Sequence, residues 1–201
     1  RVGWTGRMAL ELLLKRKRRK LPMTKRPERT GIMLAYPAEQ RKVERIAVDG
    51  KLYCQPKFRG QRCRIDWFHE EPVLLSSYAN QFKFMDHIEE ALKIKVPYKD
   101  KELSLEGIPL DGEIYCHEMS QQEINSAANR SVNENPESKR LEYWIYDIQV
   151  AGLSQYQRLV ALQNIERTGL INPPLFLSPL YLVTTDNWLY QAQSFIDQGY
   201  E

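Results

Sequence analysis

The feature of this sequence that most restricts its fold is a succession of short strand-like runs joined by short turns. Apolar, aromatic and polar residues alternate at 52–56, 61–67 and 73–76, and only a few residues separate one run from the next. Strands that follow each other so closely pair antiparallel, because a parallel pair needs a crossover of about a dozen residues or more. We therefore expect an α+β fold with largely antiparallel sheets.

Further strands and several helices are predicted along the rest of the chain. Ser120 and Glu123 form a capping-box pattern, in which each side chain satisfies a backbone N–H at the start of a helix. Gly199 is a typical residue just past a helix end, and the polar stretch 129–140 predicts a mobile loop. The remaining strands are predicted at 109–116 and 142–148, and the helices at 81–93, 120–130, 154–167 and 186–198.

Basic residues are concentrated at the N-terminal end of the chain. Residues 1–30 carry 11 Lys or Arg against 2 Asp or Glu, whereas residues 31–201 carry 18 against 24. Thr5 can cap a helix and Pro27 predicts a linker after it, so we expect a basic helix and linker over 1–30 and a larger domain over 31–201. The basic run would bind a polyanion through counterion release, or it is a solvated helix face or a localisation signal. It consists of Lys15, Arg16, Lys17, Arg18, Arg19 and Lys20.

Hydropathy and cysteine usage exclude several classes of protein. No apolar run approaches the roughly 20 residues that span a bilayer, so we expect no membrane partner. Cys54, Cys63 and Cys116 are an odd number without a close pair, which argues against a disulfide framework and a cysteine-rich zinc site. In strand-like surroundings they are predicted to be buried, reduced thiols of an intracellular protein.

The stretch "QPKFRGQRCR", at 55–64, places Lys57 among three arginines and next to a turn at Gly60. Neighbouring cations and partial burial favour the free amine of a lysine, which is the form that acts as a nucleophile. Arginine guanidinium groups can also hold phosphate oxygens in pairs. A surface strand with alternating basic residues would show the same pattern, so a lysine directed toward the interior and an exposed basic strand both remain possible.

Two more stretches carry polar groups inside apolar strands. In "IPLDGEIYCHE", Asp111 and Glu113 flank Gly112, and carboxylates there need a positive partner, such as a divalent metal, or a ribose hydroxyl, unless the stretch is a turn that begins an edge strand. In "LEYWIYDIQ", alternation places Tyr143, Ile145 and Asp147 on one face and Trp144, Tyr146 and Ile148 on the other. Such a strand is either a stacking platform for a base or a packed core strand.

The order and spacing of these stretches resemble the adenylation domain of ATP-dependent DNA ligases, which belong to the covalent nucleotidyltransferases with RNA ligases and mRNA capping enzymes. "QPKFRGQRC" resembles the family's motif I, "LDGEIYCHEMS" motif III, "YWIYDI" motif IIIa, and "QGYE" the start of motif IV. "GIMLAYP" resembles the segment that leads into the domain, and "HEMSQQEIN" is similar to ligases of phages. The resemblance covers 31–201 and implies an ATP-grasp-like nucleotidyltransferase fold, without the usual C-terminal OB-fold.

This resemblance implies a reaction. Lys57 would attack the α-phosphate of ATP, with Mg²⁺ as cofactor, to form a lysyl-AMP, and the AMP would pass to the 5′-phosphate of nicked duplex DNA during repair or replication. The basic run 15–20 would grip the DNA. The protein would be a monomer in the cytoplasm of a bacterium, either as the host of a phage or as the source of the protein, or it would be associated with the nucleoid. The implied nucleotide-binding residues are Gln55, Pro56, Arg62, Glu113 and Tyr146, and the implied metal ligands are Glu113 and Glu201.

Two positions depart from the family pattern and keep other hypotheses open. Arg59 stands where the family has Asp, and it would either favour the free amine of Lys57 further or impair the reaction. Ser77 stands where the family has Arg, at a contact to ribose or phosphate. An RNA ligase or capping-type enzyme would use the same lysine. A catalytically impaired nucleic-acid-binding module or fragment would keep the fold without the reaction.

Overall fold

The computed structural model describes residues 43–45 and 52–201. These residues form two compact units. We call Gly60–Leu177 the sheet unit; the lysine unit, named for Lys57, comprises 43–45, 52–59 and Ser178–Glu201. The basic helix and linker predicted over 1–30, including the run at 15–20, and the boundary after residue 30 lie outside the described residues.

The described residues alternate short strands with helices, and the predicted α+β class is confirmed. The helices are α1 (Asp86–Leu92), α2 (Gln121–Ala128), α3 (Gln155–Glu166) and α4 (Trp188–Asp197), with a 3₁₀ helix at Pro136–Arg140. The strands are β1 (Leu52–Cys54), β2 (Gln61–Phe68), β3 (Glu71–Ser76), β4 (Lys95–Tyr98), β5 (Lys101–Ser104), β6 (Leu110–Tyr115), β7 (Glu142–Ile148), β8 (Leu175–Leu177) and β9 (Tyr181–Val183).

A five-stranded sheet in the order β3-β2-β6-β7-β8 is the framework of the sheet unit. Its first four strands pair antiparallel. The short-turn prediction is confirmed for β2 and β3, which are consecutive along the chain. It is wrong for the first predicted run, because β1 pairs with β9 and not with β2. The fifth strand, β8, was not predicted from the sequence, and it pairs parallel with β7, so the sheet is largely but not entirely antiparallel. The physical reason is the connection: α3 lies between the two strands in sequence and supplies the crossover that a parallel pair requires.

One face of this sheet is apolar and buried. Tyr143 on β7 is fully buried, and its hydroxyl donates a hydrogen bond to the Cys63 carbonyl of β2 at 3.1 Å. Burial of such side chains supplies the main favourable free energy of folding. Other fully buried large side chains include Ile65, Leu74, Met85, Ile88, Leu92, Leu105, Ile108, Leu110, Ile114, Ile124 and Leu141.

Local sequence signals set the helix ends. The capping box predicted for Ser120 and Glu123 is present at the start of α2, and Ser154 forms a second one with Gln157 at the start of α3. The first predicted helix begins at residue 86 and not at 81, because Phe84 has a φ of +60°, which a right-handed helix does not accommodate.

The lysine unit combines a two-stranded sheet, β1 antiparallel to β9, with α4. Its apolar contacts are mainly aromatic: Phe195 of α4 packs edge-on against Tyr181 and Tyr200, with ring centroids 5.6 and 6.2 Å apart. Gly199 follows α4 with a φ of +89°, as the sequence predicts for a residue past a helix end. This turn brings Tyr200 and Glu201 back toward β1.

Several secondary-structure elements were not predicted from the sequence, and the residues of each give only a weak local signal for a strand or helix. The β4–β5 hairpin is charged and contains Pro97, while β8 and β9 have only three residues each. The stretch 129–140, predicted to be a loop, contains the 3₁₀ helix Pro136–Arg140, with Asn135 as its cap. Cys63 and Cys116 are buried as predicted, but Cys54 is only partly buried. No helix among the described residues is long and apolar enough to cross a bilayer.

Candidate functional site

Lys57 lies on an extended segment just after β1, which ends at Cys54 and not at residue 56 as predicted. Burial alternates along this segment: Pro56 and Phe58 are buried, while the side chains of Lys57 and Arg59 are 60% and 64% exposed. The Phe58 ring anchors the segment by packing edge-on against Tyr200 at 5.6 Å. The lysine is therefore presented outward, as in the exposed alternative of the two that the sequence leaves open.

The partner of Lys57 is Glu201, a residue 144 positions away in sequence. The Lys57 ammonium donates a hydrogen bond to the Glu201 carboxylate, and the backbone N–H of Glu201 donates to the Lys57 carbonyl at 3.0 Å. The side-chain hydrogen bond lowers the pKa of Glu201. Arg59 reaches the same carboxylate, with its Nε 3.7 Å from Oε1, so Glu201 separates the two cations that the sequence places two residues apart.

In the sheet unit, Arg62 of β2 is held by Asp111 of β6. The Arg62 Nε donates to Oδ1 at 3.1 Å and Nη2 to Oδ2 at 2.5 Å, a two-point contact between side chains that are 19% and 6% exposed. Burial alone lowers the pKa of Arg62, but the hydrogen bond to Asp111 and neighbouring negative charge more than offset it, so the net shift is upward. The predicted need of Asp111 for a positive partner is met by an arginine of the chain itself.

A β-bulge places Tyr146 on the same face of the sheet as Arg62. Asp111 pairs with Asp147 and Gly112 with Ile145, so β7 has one more residue than β6 at this point, namely Tyr146. The Tyr146 hydroxyl lies 3.5 Å from Asp111 Oδ1, and the Arg62 guanidinium lies 5.8 Å from the centre of its ring. Burial raises the pKa of Tyr146 far above its usual value, so the hydroxyl remains a donor at neutral pH.

The bulge also corrects the faces predicted for β7. Strict alternation assigned Ile148 to the face of Tyr146 and Asp147 to the opposite one, yet Ile148 is fully buried with Tyr143 and Ile145. The extra residue inverts the alternation, because side chains switch faces at every position of a regular strand. Asp147 therefore joins the polar face, where Arg158 of α3 donates to both of its oxygens at 2.7 and 3.0 Å.

Glu113 is placed by its two neighbouring strands. It lies opposite Arg62 of β2 and Trp144 of β7, and its side chain is partly buried. The preceding Gly112 is closely packed, since a Cβ there would lie 2.4 Å from the Trp144 carbonyl. Trp144 itself stacks on Phe176 at 4.9 Å with an interplanar angle of 16°, which makes it a packing residue of the sheet.

The predicted site residues thus form two groups. Arg62, Glu113 and Tyr146 share one face of three adjacent strands in the sheet unit. The lysine unit holds the others, namely Gln55, Pro56, Lys57 and Glu201. Sequence reasoning missed two partners: Gln149, which ends the stretch "LEYWIYDIQ" but was given no role, and Arg158, which lies outside the quoted stretches. Within 43–45 and 52–201 no group of three or more His, Cys, Asp or Glu is arranged to hold a metal ion.

The fold of this chain is similar to that of solved DNA ligases. A structure of a Lig E DNA ligase, described as binding DNA with a minimal scaffold, matches with a TM-score of 0.62 and 19% identity over 85% of this chain and 59% of that chain. A Chlorella virus DNA ligase–adenylate matches with a TM-score of 0.53 and 19% identity, over 76% of this chain and 51% of that one. The chain therefore spans less than two thirds of the length of either ligase.

Comparison by sequence adds no family: no protein-family model matches the chain, and no curated protein does. At about one residue in five identical, the structural likeness establishes that the chain has a fold similar to that of solved DNA ligases.

Proposed function

We propose that this chain is the nucleotidyltransferase part of an ATP-dependent DNA ligase, with Lys57 as the residue that becomes adenylated. The observation that carries the proposal is the placement of Arg62, Glu113 and Tyr146. They come from three motifs spread over the chain, yet they lie on one face of adjacent strands, with Arg62 directly opposite Glu113. The likeness of the fold to solved DNA ligases supports the same assignment.

In the proposed reaction the Lys57 amine attacks the α-phosphorus of ATP. A phosphorus–nitrogen bond forms, the bond to pyrophosphate breaks, and the ammonium must first lose a proton because only the free amine is nucleophilic. The contact with Glu201 holds the ammonium at rest, so it must open before attack. Gln55 and Pro56 would line the nucleotide, Arg62 and Glu113 would bind its ribose or phosphates, and the ring of Tyr146 would stack on the adenine.

The carboxylates of Glu113 and Glu201 have the chemistry that Mg²⁺ prefers. Mg²⁺ usually binds through one or two carboxylates together with substrate phosphates and water. Either carboxylate fits this pattern without a dedicated protein cage. The cation would neutralise charge on the phosphates during transfer.

Nicked duplex DNA is the proposed acceptor of the AMP. The ligase-like fold and the "HEMSQQEIN" wording, which is similar to phage ligases, support DNA over RNA. The basic run 15–20 would add affinity for the phosphate backbone of the DNA, and this affinity would fall as the salt concentration rises. An RNA ligase or capping-type enzyme is the second candidate. A catalytically impaired fragment is the third, because Arg59 replaces the carboxylate of the family pattern and the chain covers only part of each solved ligase.

The test is covalent labelling with α-³²P-ATP and Mg²⁺. We expect a labelled adduct on the chain that is absent in Lys57→Ala and retained in Lys139→Ala, a control lysine that is 73% exposed. An adduct that persists in Lys57→Ala, or no adduct on the unmutated chain, would contradict the proposal. Transfer of the label to a 5′-phosphate at a DNA nick, compared with an RNA nick, then identifies the acceptor.

A further inference from the structure

We propose that Asp111 is a positioning residue that fixes Arg62 and Tyr146 in their nucleotide-binding orientation. This inference rests on the proposed function, since it concerns how two of the proposed contacts to the nucleotide are held. It assigns to Asp111 a role that is distinct from metal or ribose binding.

The Asp111 carboxylate is the centre of a buried hydrogen-bond network. Asp111 is 4% exposed, and four donors from three residues surround its two oxygens. Oδ1 accepts from Arg62 Nε at 3.1 Å and lies 3.5 Å from the Tyr146 hydroxyl. Oδ2 accepts from Arg62 Nη2 at 2.5 Å and lies 3.4 Å from the Gln149 amide. A carboxylate surrounded in this way has little capacity left for a ligand of its own.

The network determines the orientation of two side chains at once. A two-point contact fixes the plane of the Arg62 guanidinium as well as its position. The bulge carries Tyr146 to the same carboxylate, and its ring lies 5.8 Å from the guanidinium carbon. A flexible arginine and an aromatic ring each lose rotamer freedom when a ligand binds, unless they are already fixed. Asp111 supplies that fixation before the nucleotide arrives.

An ordinary structural ion pair is the competing explanation, and the chain contains a matched example of one. Asp147 accepts two hydrogen bonds from Arg158, and the two side chains are 14% and 15% exposed. This pair links β7 to α3 and involves none of the proposed nucleotide contacts. Asp111→Asn and Asp147→Asn therefore make the same chemical change in two comparable pairs, and only the first should change nucleotide binding.

The experiment measures KM for ATP and kcat of lysyl-AMP formation in the full chain. Asn keeps the shape of Asp111 but turns one oxygen into a donor that faces the Arg62 N–H groups. We expect KM to rise about tenfold, which is the effect of losing one charge-assisted hydrogen bond, with a smaller change in kcat. Asp147→Asn should leave KM unchanged. Equal effects of the two variants, or an effect on kcat alone, would overturn the inference.

A double-mutant cycle separates positioning from general damage. If Asp111 acts through Arg62, the effect of Asp111→Asn on KM should largely vanish in an Arg62→Ala background; an undiminished effect there would overturn the inference. The Arg62 Nε–H should also exchange more slowly with solvent in the unmutated chain than in Asp111→Asn, a readout that needs no activity. Failure of the proposed function is recognised separately, since the unmutated chain would then form no lysyl-AMP.

Discussion

Gly112 offers the sharpest test of the sheet geometry, because the substitution Gly112→Ala adds a single carbon to a fully occupied space. A Cβ at this position would lie 2.4 Å from the Trp144 carbonyl oxygen and 2.8 Å from the Tyr143 ring. Neither neighbour can move freely. The carbonyl belongs to the backbone of β7, and the fully buried Tyr143 is held by its hydrogen bond to Cys63.

The size of the effect follows from these contacts. Overpacking a rigid core site costs about 1–3 kcal/mol, and we expect the upper end because one of the atoms in contact is backbone. For a chain of this length, each kcal/mol of lost unfolding free energy lowers Tm by roughly 2–4 °C. The Tm of Gly112→Ala should therefore be about 6–12 °C lower than that of the unmutated chain. Thermal unfolding followed by circular dichroism measures this shift.

Gly107→Ala is the matched control. A Cβ added at Gly107 would have no heavy atom within 4 Å, but the φ of this residue is +76°, so alanine there costs only the backbone strain of about 1 kcal/mol. If Gly112→Ala unfolds at the same temperature as Gly107→Ala, the close approach of β6 and β7 at Gly112 does not exist.

Two further predictions concern the ion pairs. Because the Lys57 contact lowers the pKa of Glu201, this contact is fully formed above the ordinary glutamate pKa of about 4.3 and is lost as the pH falls through the lower value of the folded chain. A ¹³C titration of the Glu201 carboxyl should show that lower midpoint, and Lys57→Ala should raise it; an unchanged midpoint would argue against the contact. Arg158→Ala removes two charge-assisted hydrogen bonds from Asp147 and should cost about 1.5–3 kcal/mol in urea unfolding, whereas the exposed Arg130→Ala should change stability by less than about 0.5 kcal/mol.

Much of the fold was predictable because its signals are local. The strands β2, β3, β6 and β7 have clear apolar patterns, and the capping boxes at Ser120 and Ser154 involve residues only three positions apart. The three-residue strands β8 and β9 are defined by their partners and not by their own composition. A strand that short carries too few side chains to establish a period.

The contacts of the candidate site residues could not be predicted from the sequence. The motifs propose Lys57, Arg62 and Glu113 as site residues, but they do not show that the carboxylate beside Lys57 comes from Glu201, 144 positions along the chain. The faces of β7 were mispredicted because a bulge is a property of two paired strands, and a single strand's sequence does not reveal it. The expected crowding of cations around Lys57 fails for a related reason, since the chain brings a distant carboxylate between Lys57 and Arg59.

The bulge at Tyr146 also affects how many polar side chains one strand can present to the same face of the sheet. A regular strand offers one side chain to a given face only every 6.6 Å or so, which limits the number of polar groups that can meet over one spot. At the bulge, β7 presents two consecutive side chains, Tyr146 and Asp147, to the same face, which locally doubles the number of side chains per length of strand on that face. Ile145 and Ile148 remain in the core. One extra residue thus lets a narrow sheet hold two separate arginines, Arg62 and Arg158, while its apolar side chains stay buried.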